Sequence, residues 1–317
     1  MQFSMVSRIL IYIINIYYNI LCKRLSNSES FHYIEKSKKD KLLFVSELFV
    51  IYISQLYNKF YQINQFMIFG VRHGERADRL PKKNPERKSI QILYDPQLSQ
   101  KGVKQAEETG KFIQSKIDEY AKSQNGQEEI KEQEDIQAII ISSPFLRTIQ
   151  TSFAIAKNLK KVYQNTIFLQ EDVCEWLSVH DYQNFPLDTI FYRSRQSELN
   201  KYLDESLFEI KWNFFQPKKR PRFPEIPDRA DERIALGMEL MKEKYFKEFD
   251  PKKYVLIYVT HQYTLQSSML TYGTKEVAEN CDFCAVLQVL YPKASEQDYE
   301  KQEILIKGTN DHIKHLL

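Results

Sequence analysis

The chain has 317 residues, of which 43% are hydrophobic and 27% are charged. This composition is typical of a soluble globular protein, and the length allows one large domain or two small ones. The net charge of +3 is small, so it gives no reason to expect nucleic-acid binding. Its cysteines (Cys22, Cys174, Cys281 and Cys284) are too few and too scattered for a disulfide scaffold. We interpret them as free thiols in a reducing, cytoplasmic compartment.

Residues 1–66 contain no glycine and no proline, although a folded region of that length usually needs both for its turns. Their apolar run at residues 9–22 is shorter than the roughly 20 residues that span a bilayer. Basic residues flank this run, so a signal peptide or a membrane anchor stays an alternative. A second run at 42–53 predicts an amphipathic helix. Our hypothesis is that residues 1–66 are a poorly ordered or helical, dispensable extension and that Met67 is the functional start.

From Met67 onward, apolar runs alternate with helical patterns, which predicts an α/β domain with a mostly parallel sheet. Ser99 is expected to cap one helix, and Ser142-Ser143-Pro144 is expected to open another. The strands are predicted at residues 66–71, 136–141, 166–169 and 254–259, with later edge strands at 285–291 and 303–306.

The segment from about residue 180 to 228 interrupts this alternation with clustered Tyr and Phe and with prolines. We predict that it is an insertion capping the carboxyl edge of the sheet. Its basic run, Pro217 to Arg222, is interpreted as a solvated turn, with substrate steering or contact with anionic lipid as alternatives. A long helix at 230–249 is expected to return the chain to the sheet.

Histidine and arginine residues follow three of the predicted strands. Arg72 and His73 end the first, Arg147 lies in the helix after the second, and His261 ends the strand at 254–259. Ligands of open α/β sheets bind at the carboxyl ends of the strands, so these side chains are expected to converge. Neighbouring guanidinium groups oppose protonation of His73, which favours a neutral nucleophile over a general base. Arginine binds phosphate through paired, charge-assisted hydrogen bonds, so the set predicts a phosphate pocket.

These motifs, in this order, resemble the histidine phosphatase (phosphoglycerate mutase-like) superfamily. The resemblance runs from about Met67 to near the carboxyl terminus and implies a three-layer α/β/α fold with a capping insertion. Residues 71–78, 174–176 and 279–283 are similar to the branch that contains the UBASH3/STS phosphatase domains. The motifs that carry the resemblance are Arg72-His73-Gly74-Glu75, Leu98-Ser99-x-x-Gly102, Ser142-Ser143-Pro144-x-x-Arg147-x-x-x-Thr151 and the late strand with His261.

The resemblance also implies roles for individual residues. His73 would attack phosphorus and become a phosphohistidine, while His261 would hydrogen-bond the phosphate. Glu175 is the expected acid that protonates the leaving oxygen, with Glu171 as the alternative. Neither a metal nor another cofactor is expected. Three arginines would bind the non-bridging oxygens: Arg72, Arg76 and Arg147.

The leading hypothesis is therefore a metal-independent phosphatase acting on a small phosphoester or a phosphotyrosine protein. Phosphoglycerate mutase-type transfer is one alternative. A catalytically weakened phosphate-binding or scaffold protein is another, because Gln262 follows His261 where the superfamily usually has glycine. Signatures of other phosphatases are missing from the sequence, since no cysteine is followed six residues later by arginine and no Asp-x-Asp occurs. Nothing in the sequence predicts the oligomeric state.

Overall fold

The computed structural model describes residues 65–90, 93–125, 135–180, 182, 199, 203–204, 206–273, 281–292 and 302–317. The apolar runs at 9–22 and 42–53 lie outside these residues, as does much of the segment from 180 to 208. Phe66, however, belongs to the first strand and packs its ring 5.1 Å from Tyr245 and 4.4 Å from Phe246, between ring centroids. The strand begins at Gln65, two residues before Met67, the predicted functional start. The hypothesis about the rest of the extension stays a prediction.

The described residues form one seven-stranded sheet in the order β4-β3-β2-β5-β1-β6-β7. Neighbours from β4 to β1 pair in parallel, whereas β6 pairs antiparallel with both β1 and β7. The strands are β1 (Gln65–Arg72), β2 (Gln137–Ser142), β3 (Val162–Leu169), β4 (Glu209–Trp212), β5 (Tyr254–Thr260), β6 (Val286–Pro292) and β7 (Glu303–Thr309).

Successive side chains of a buried strand point to opposite faces, so the sheet has an apolar core on each face. Helices cover both cores. In β1, Met67 and Phe69 belong to one apolar core, and Phe66 and Ile68 belong to the other. Helices α2 and α3 pack on the first core, and α4 and α5 pack on the second. The helices are α1 (Pro85–Lys88), α2 (Gln100–Asn125), α3 (Leu146–Ala156), α4 (Pro227–Glu248) and α5 (Gln262–Thr271), with 3₁₀ turns at Ala77–Arg79, Glu171–Val173 and Asp311–Leu316.

The predicted three-layer, mostly parallel α/β/α architecture is confirmed, with two corrections to the sheet. The run at 285–291 was expected at an edge, yet β6 lies between β1 and β7. The segment predicted as a capping insertion also contributes β4, which extends the parallel sheet beyond β3. One of its four residues is exposed and three are only partly buried, so the strand lacks the apolar run that reveals a central strand.

The start of α3 also differs from the prediction. Ser99 accepts a hydrogen bond from the Gly102 N–H, 3.0 Å, and therefore caps α2 as expected. Ser143, by contrast, does not cap α3, which begins only at Leu146. The Leu146 N–H instead donates to the Asp95 carboxylate, at 3.0 and 3.1 Å, so a residue distant in sequence provides the cap.

Three cysteines lie in the described part of the chain: Cys174, Cys281 and Cys284. All three are buried and free, as predicted. No helix in the described part of the chain is long and apolar enough to cross a membrane.

Candidate active site

The register of the parallel strands brings the three predicted strand ends to one place. Arg72 of β1 lies beside Thr260 of β5, and Ser142 of β2 lies beside Val259 of β5. The residue after each of these strands therefore emerges at the same edge of the sheet. The residues at these three positions, His73, Ser143 and His261, are almost completely buried.

His73 is held as a neutral ring with one available lone pair. It is only 3% exposed, and its Nδ1 lies 2.8 Å from the backbone oxygen of Gly74. A carbonyl oxygen can only accept, so Nδ1 carries the proton and Nε2 is left unprotonated. Burial lowers the pKa of His73 well below its usual value, and the charges of Arg147 and Arg72 lower it further. The arrangement can therefore present a nucleophilic nitrogen at neutral pH.

The loop after His73 is fixed by close backbone packing. The Gly74 N–H donates to Thr151 Oγ1, 3.1 Å, and a Cβ on Gly74 would lie 2.4 Å from the Gly102 oxygen. This close approach requires glycine on both sides. Glu75 accepts a hydrogen bond from the Ser99 hydroxyl, 2.9 Å, and so ties the loop to the start of α2.

Arg147 is the most deeply buried cation of the site, with 1% of its surface exposed. Its guanidinium group lies 3.4 Å from an Asp95 oxygen, donates to the Tyr182 hydroxyl at 3.1 Å and sits 4.3 Å above the Phe145 ring. Asp95 thus caps α3 and pairs with Arg147 at once. Neither Asp95 nor Tyr182 was predicted from the sequence, and no local pattern marks either one.

Arg72 and Arg76 are held by different means. Arg72 donates to the Cys281 backbone oxygen and lies 4.5 Å from the centre of the Phe283 ring. Burial lowers its pKa, although that of an arginine stays far above neutrality. Arg76 makes a two-pronged ion pair with Asp78, with Nε to Oδ1 at 2.8 Å. Burial opposes its charge, but the hydrogen bond and charge of Asp78 raise the pKa of Arg76.

His261 lies fully buried beside His73, with 5.3 Å between ring centroids. Its Nε2 is 2.8 Å from the Ser143 hydroxyl, and its Nδ1 has no partner among the described residues. Burial lowers its pKa well below the usual value, and the charge of Arg147 adds to that effect. The Ser143 hydroxyl therefore orients this ring and does not cap α3.

Gln262 is the first residue of α5, and the chain before it is extended. It is not among the described non-glycine residues with positive φ, so the backbone there does not require glycine. Glutamine in place of the usual glycine therefore adds a side chain at the cavity and leaves the course of the backbone unchanged. The unpaired N–H groups at the start of α5 also favour negative charge nearby.

A cavity of about 310 Å³ opens onto these groups. It can receive a tetrahedral oxyanion, because three of its wall residues are cationic and His73 lies among them. Arg147 and His261 are buried and do not line the cavity themselves, but they adjoin the wall residues Tyr182 and His73. The residues that carry charge or aromatic rings in the wall are Arg72, His73, Arg76, Arg79, Tyr94, Glu175, Trp176, Tyr182 and Tyr263, and Gln262 also lines it.

The two candidate acids, Glu175 and Glu171, lie in different surroundings. Glu175 lines this cavity, and its Oε1 accepts a hydrogen bond from the Trp176 N–H, 3.0 Å. Glu171 does not line it; its carboxylate lies 3.5 Å from Arg220 Nε. Burial raises the pKa of Glu171, although the charge of Arg220 opposes this shift. Of the two, only Glu175 lines the cavity that His73 also lines.

A buried ion pair holds the loop that carries Glu175. Arg233 of α4 makes two hydrogen bonds to the Glu225 carboxylate, 2.9 and 2.8 Å. It also donates to the backbone oxygens of Asp172, Cys174 and Glu175, at 2.9, 3.3 and 3.2 Å. The Thr260 and Thr264 hydroxyls also donate to this loop, at Val173 and Cys174, so the loop is held from several sides, in part by a guanidinium group that the sequence did not single out.

Comparisons with known proteins give matches only at the level of structure. No family model and no curated protein matches the chain. The ecdysone phosphate phosphatase from Bombix mori, solved in complex with tungstate, is similar with a TM-score of 0.52 and 15% identity, over 76% of this chain and 92% of that one. The chain shares the α/β fold of this structure.

Two further solved structures are similar at lower TM-scores. Phosphoglycerate mutase from Bacillus anthracis str. Sterne has a TM-score of 0.47 and 14% identity, over 79% of this chain and 96% of that one. Mycobacterial glucosyl-3-phosphoglycerate phosphatase has a TM-score of 0.43 and 15% identity, over 78% and 100%. Among the described residues, no group of three or more histidine, cysteine, aspartate or glutamate side chains could hold a metal ion.

We predict that stability falls as the pH drops from about 7 to 5, because the unfolded chain protonates His73 and His261 below about pH 6.5 while the folded chain does not. Each histidine should contribute a slope of up to about 1.4 kcal/mol per pH unit. Urea unfolding across this range should show a shallower slope in His73→Gln/His261→Gln. His180→Gln, at an exposed position, is the control; equal slopes in the double variant and wild type would contradict the assignment.

We also predict that Arg233→Met lowers the free energy of unfolding by about 3–5 kcal/mol, because it leaves the buried Glu225 carboxylate unpaired. Adding Glu225→Leu should recover part of that loss, since the double variant buries no lone charge. Urea unfolding of both single variants and the double variant measures the coupling. Additive effects would mean that the ion pair contributes nothing of its own.

Proposed function

We propose that this protein is a metal-independent phosphatase that hydrolyses a phosphomonoester through a phosphohistidine on His73. The observation that carries the proposal is the neutral His73 ring. Its Nδ1 is engaged by Gly74, which leaves the lone pair on Nε2, and the residue lines a cavity whose wall contains arginines. A general base would need a higher pKa than this environment allows. A nucleophile needs only the lone pair, and the nearby positive charge favours a negatively charged phosphoryl group.

In the proposed reaction, Nε2 of His73 forms a bond to phosphorus as the bond from phosphorus to the leaving oxygen breaks. Glu175 gives its proton to that oxygen. Water then attacks the phosphohistidine, returns a proton to Glu175 and leaves inorganic phosphate with neutral His73. The positive groups would stabilise the charge on the non-bridging oxygens: Arg72, Arg76 and Arg147, with a hydrogen bond from His261.

The assignment of Glu175 and Arg76 also rests on the sequence resemblance to the UBASH3/STS branch. Glu175 is supported by its place in the wall of the cavity, and Arg76 by its ion pair with Asp78, which holds the guanidinium group at the cavity. The substrate is proposed to be a small phosphoester or a phosphotyrosine protein. Tyr94, Trp176 and Tyr263 give the wall aromatic surface against which an apolar leaving group could pack.

We expect the purified protein to hydrolyse an aryl phosphate and to form a phosphoenzyme that is labile in acid and stable in base. His73→Ala should abolish the phosphoenzyme and lower kcat/KM by about three orders of magnitude or more, on the order of 4 kcal/mol. Rapid-quench labelling with a radioactive substrate measures both, and His180→Ala is the matched control at an exposed histidine. Binding of phosphate without turnover would favour the scaffold alternative, and transfer to phosphoglycerate instead of water would favour the mutase.

Glu175→Gln should lower kcat for an alkyl phosphate by about 10²–10⁴-fold, since a poor leaving group needs the proton. The same variant should be much less impaired with an aryl phosphate whose leaving oxygen is a weak base. Steady-state kinetics with a series of leaving groups gives the comparison. Glu171→Gln is the control, and a dependence on leaving group in that variant rather than in Glu175→Gln would reverse the assignment.

A further inference from the structure

A second cavity, of about 450 Å³, lies where the predicted insertion meets the start of α4. We call it the basic cavity. It is formed by the run from Pro217 to Arg222 together with the first turns of α4, and none of its lining residues lines the cavity at His73. Its cationic wall residues are Lys218, Lys219, Arg220, Arg222, Arg229 and Arg233.

The carboxylates of the basic cavity are already engaged. Glu225 is paired with Arg233 at 2.8 Å, and Glu232 is paired with Lys219. Three further wall cations, Lys218, Arg222 and Arg229, form no ion pair with any carboxylate in the described part of the chain. All three are exposed to solvent. The cavity therefore carries several positive charges that the protein itself does not neutralise.

This local charge is not a consequence of the overall composition, since the whole chain has a net charge of only +3. Cations collected around a concave surface repel one another and focus a positive potential on the space between them. A solvated turn could separate its charges freely, whereas these are held around a common cavity by the proline-bounded run and α4. A multiply charged anion entering the cavity would relieve the repulsion through charge-assisted hydrogen bonds.

The basic cavity is also joined to the wall of the first cavity. Arg233 lines the basic cavity and donates to the Glu175 backbone oxygen, 3.2 Å. The Trp176 indole N–H donates to the Glu225 backbone oxygen, 2.7 Å. Glu175 and Trp176 line the cavity at His73, so the segment they form stands between the two spaces.

We propose that the basic cavity is a second anion site, which binds a small molecule carrying several phosphate charges independently of the site at His73. A concave site of this size favours a compact anion that enters it over the flat surface of a membrane. The proposal does not depend on phosphatase activity, because it concerns binding alone. Lys218, Arg222 and Arg229 are the residues whose charge the ligand would neutralise.

The test is calorimetric titration of the full chain with inorganic tripolyphosphate at low salt. Lys218→Ser/Arg222→Ser/Arg229→Ser should weaken binding about tenfold or more, because it removes three charged contacts. The matched control is Lys104→Ser/Lys252→Ser/Lys253→Ser, which removes the same charge from exposed positions outside both cavities and should leave the affinity within about twofold. Arg72→Met, in the first cavity, should also retain tripolyphosphate binding.

Equal losses in the two triple variants would show a nonspecific effect of charge and would overturn the proposal. Loss of binding in Arg72→Met, with binding kept in the basic-cavity variant, would assign the anion to the first cavity and would also overturn it. A parallel assay uses vesicles of phosphatidylcholine with about one part in ten of phosphatidylserine. Binding to these vesicles without binding to tripolyphosphate would mean that the basic residues contact a lipid surface and not a soluble anion. Thermal unfolding of each variant confirms that it is folded.

Discussion

Positive charge gathered around two buried, neutral histidines is the constraint on which the site depends. Like charges a few ångströms apart in a protein repel by several kcal/mol. Arg147 is offset by Asp95 and Arg76 by Asp78, while the charges of Glu175 and Asp282 favour the charged form of Arg72. A doubly charged phosphoryl group bound among these arginines would reduce their mutual repulsion further. Burial lowers the pKa of His73, and the same charges lower it further, so one set of charges favours both the anion and the neutral ring.

The fold holds this charge in place through contacts that each serve two purposes. Asp95 caps α3 and pairs with Arg147, so the helix cannot shift without moving the cation. Ser143 does not provide this cap and orients His261 instead. Arg233 is paired with the Glu225 carboxylate in the interior, and its other N–H groups donate to the backbone of the loop that carries Glu175. Rigid elements thus fix groups whose mutual repulsion would otherwise separate them.

Much of this could be predicted from the sequence, for a physical reason. Parallel strands buried on both faces give continuous apolar runs, and the residues that follow them must meet at one edge of the sheet, as His73 and His261 do. The partners of these residues could not be predicted. Asp95 contacts Arg147 across 52 positions, and Arg233 contacts Asp172 across 61. An aspartate before a proline or an arginine on a helix has the same local pattern whether it is buried or solvated. The strand β4 was missed because it is short and only partly buried.

Gln262 occupies a position where the motif that it follows usually has glycine. Where a motif has glycine, a larger residue raises two separate concerns, one about backbone conformation and one about space. The helical position of Gln262 removes the first, since any residue can adopt it. The second concerns only a flexible side chain at the wall of a cavity whose cations are supplied by other elements. An amide there can both donate and accept hydrogen bonds, so it can reshape the cavity without opposing an anion. The departure therefore changes the space beside His73, and in the proposed phosphatase it would bear on which ester fits there.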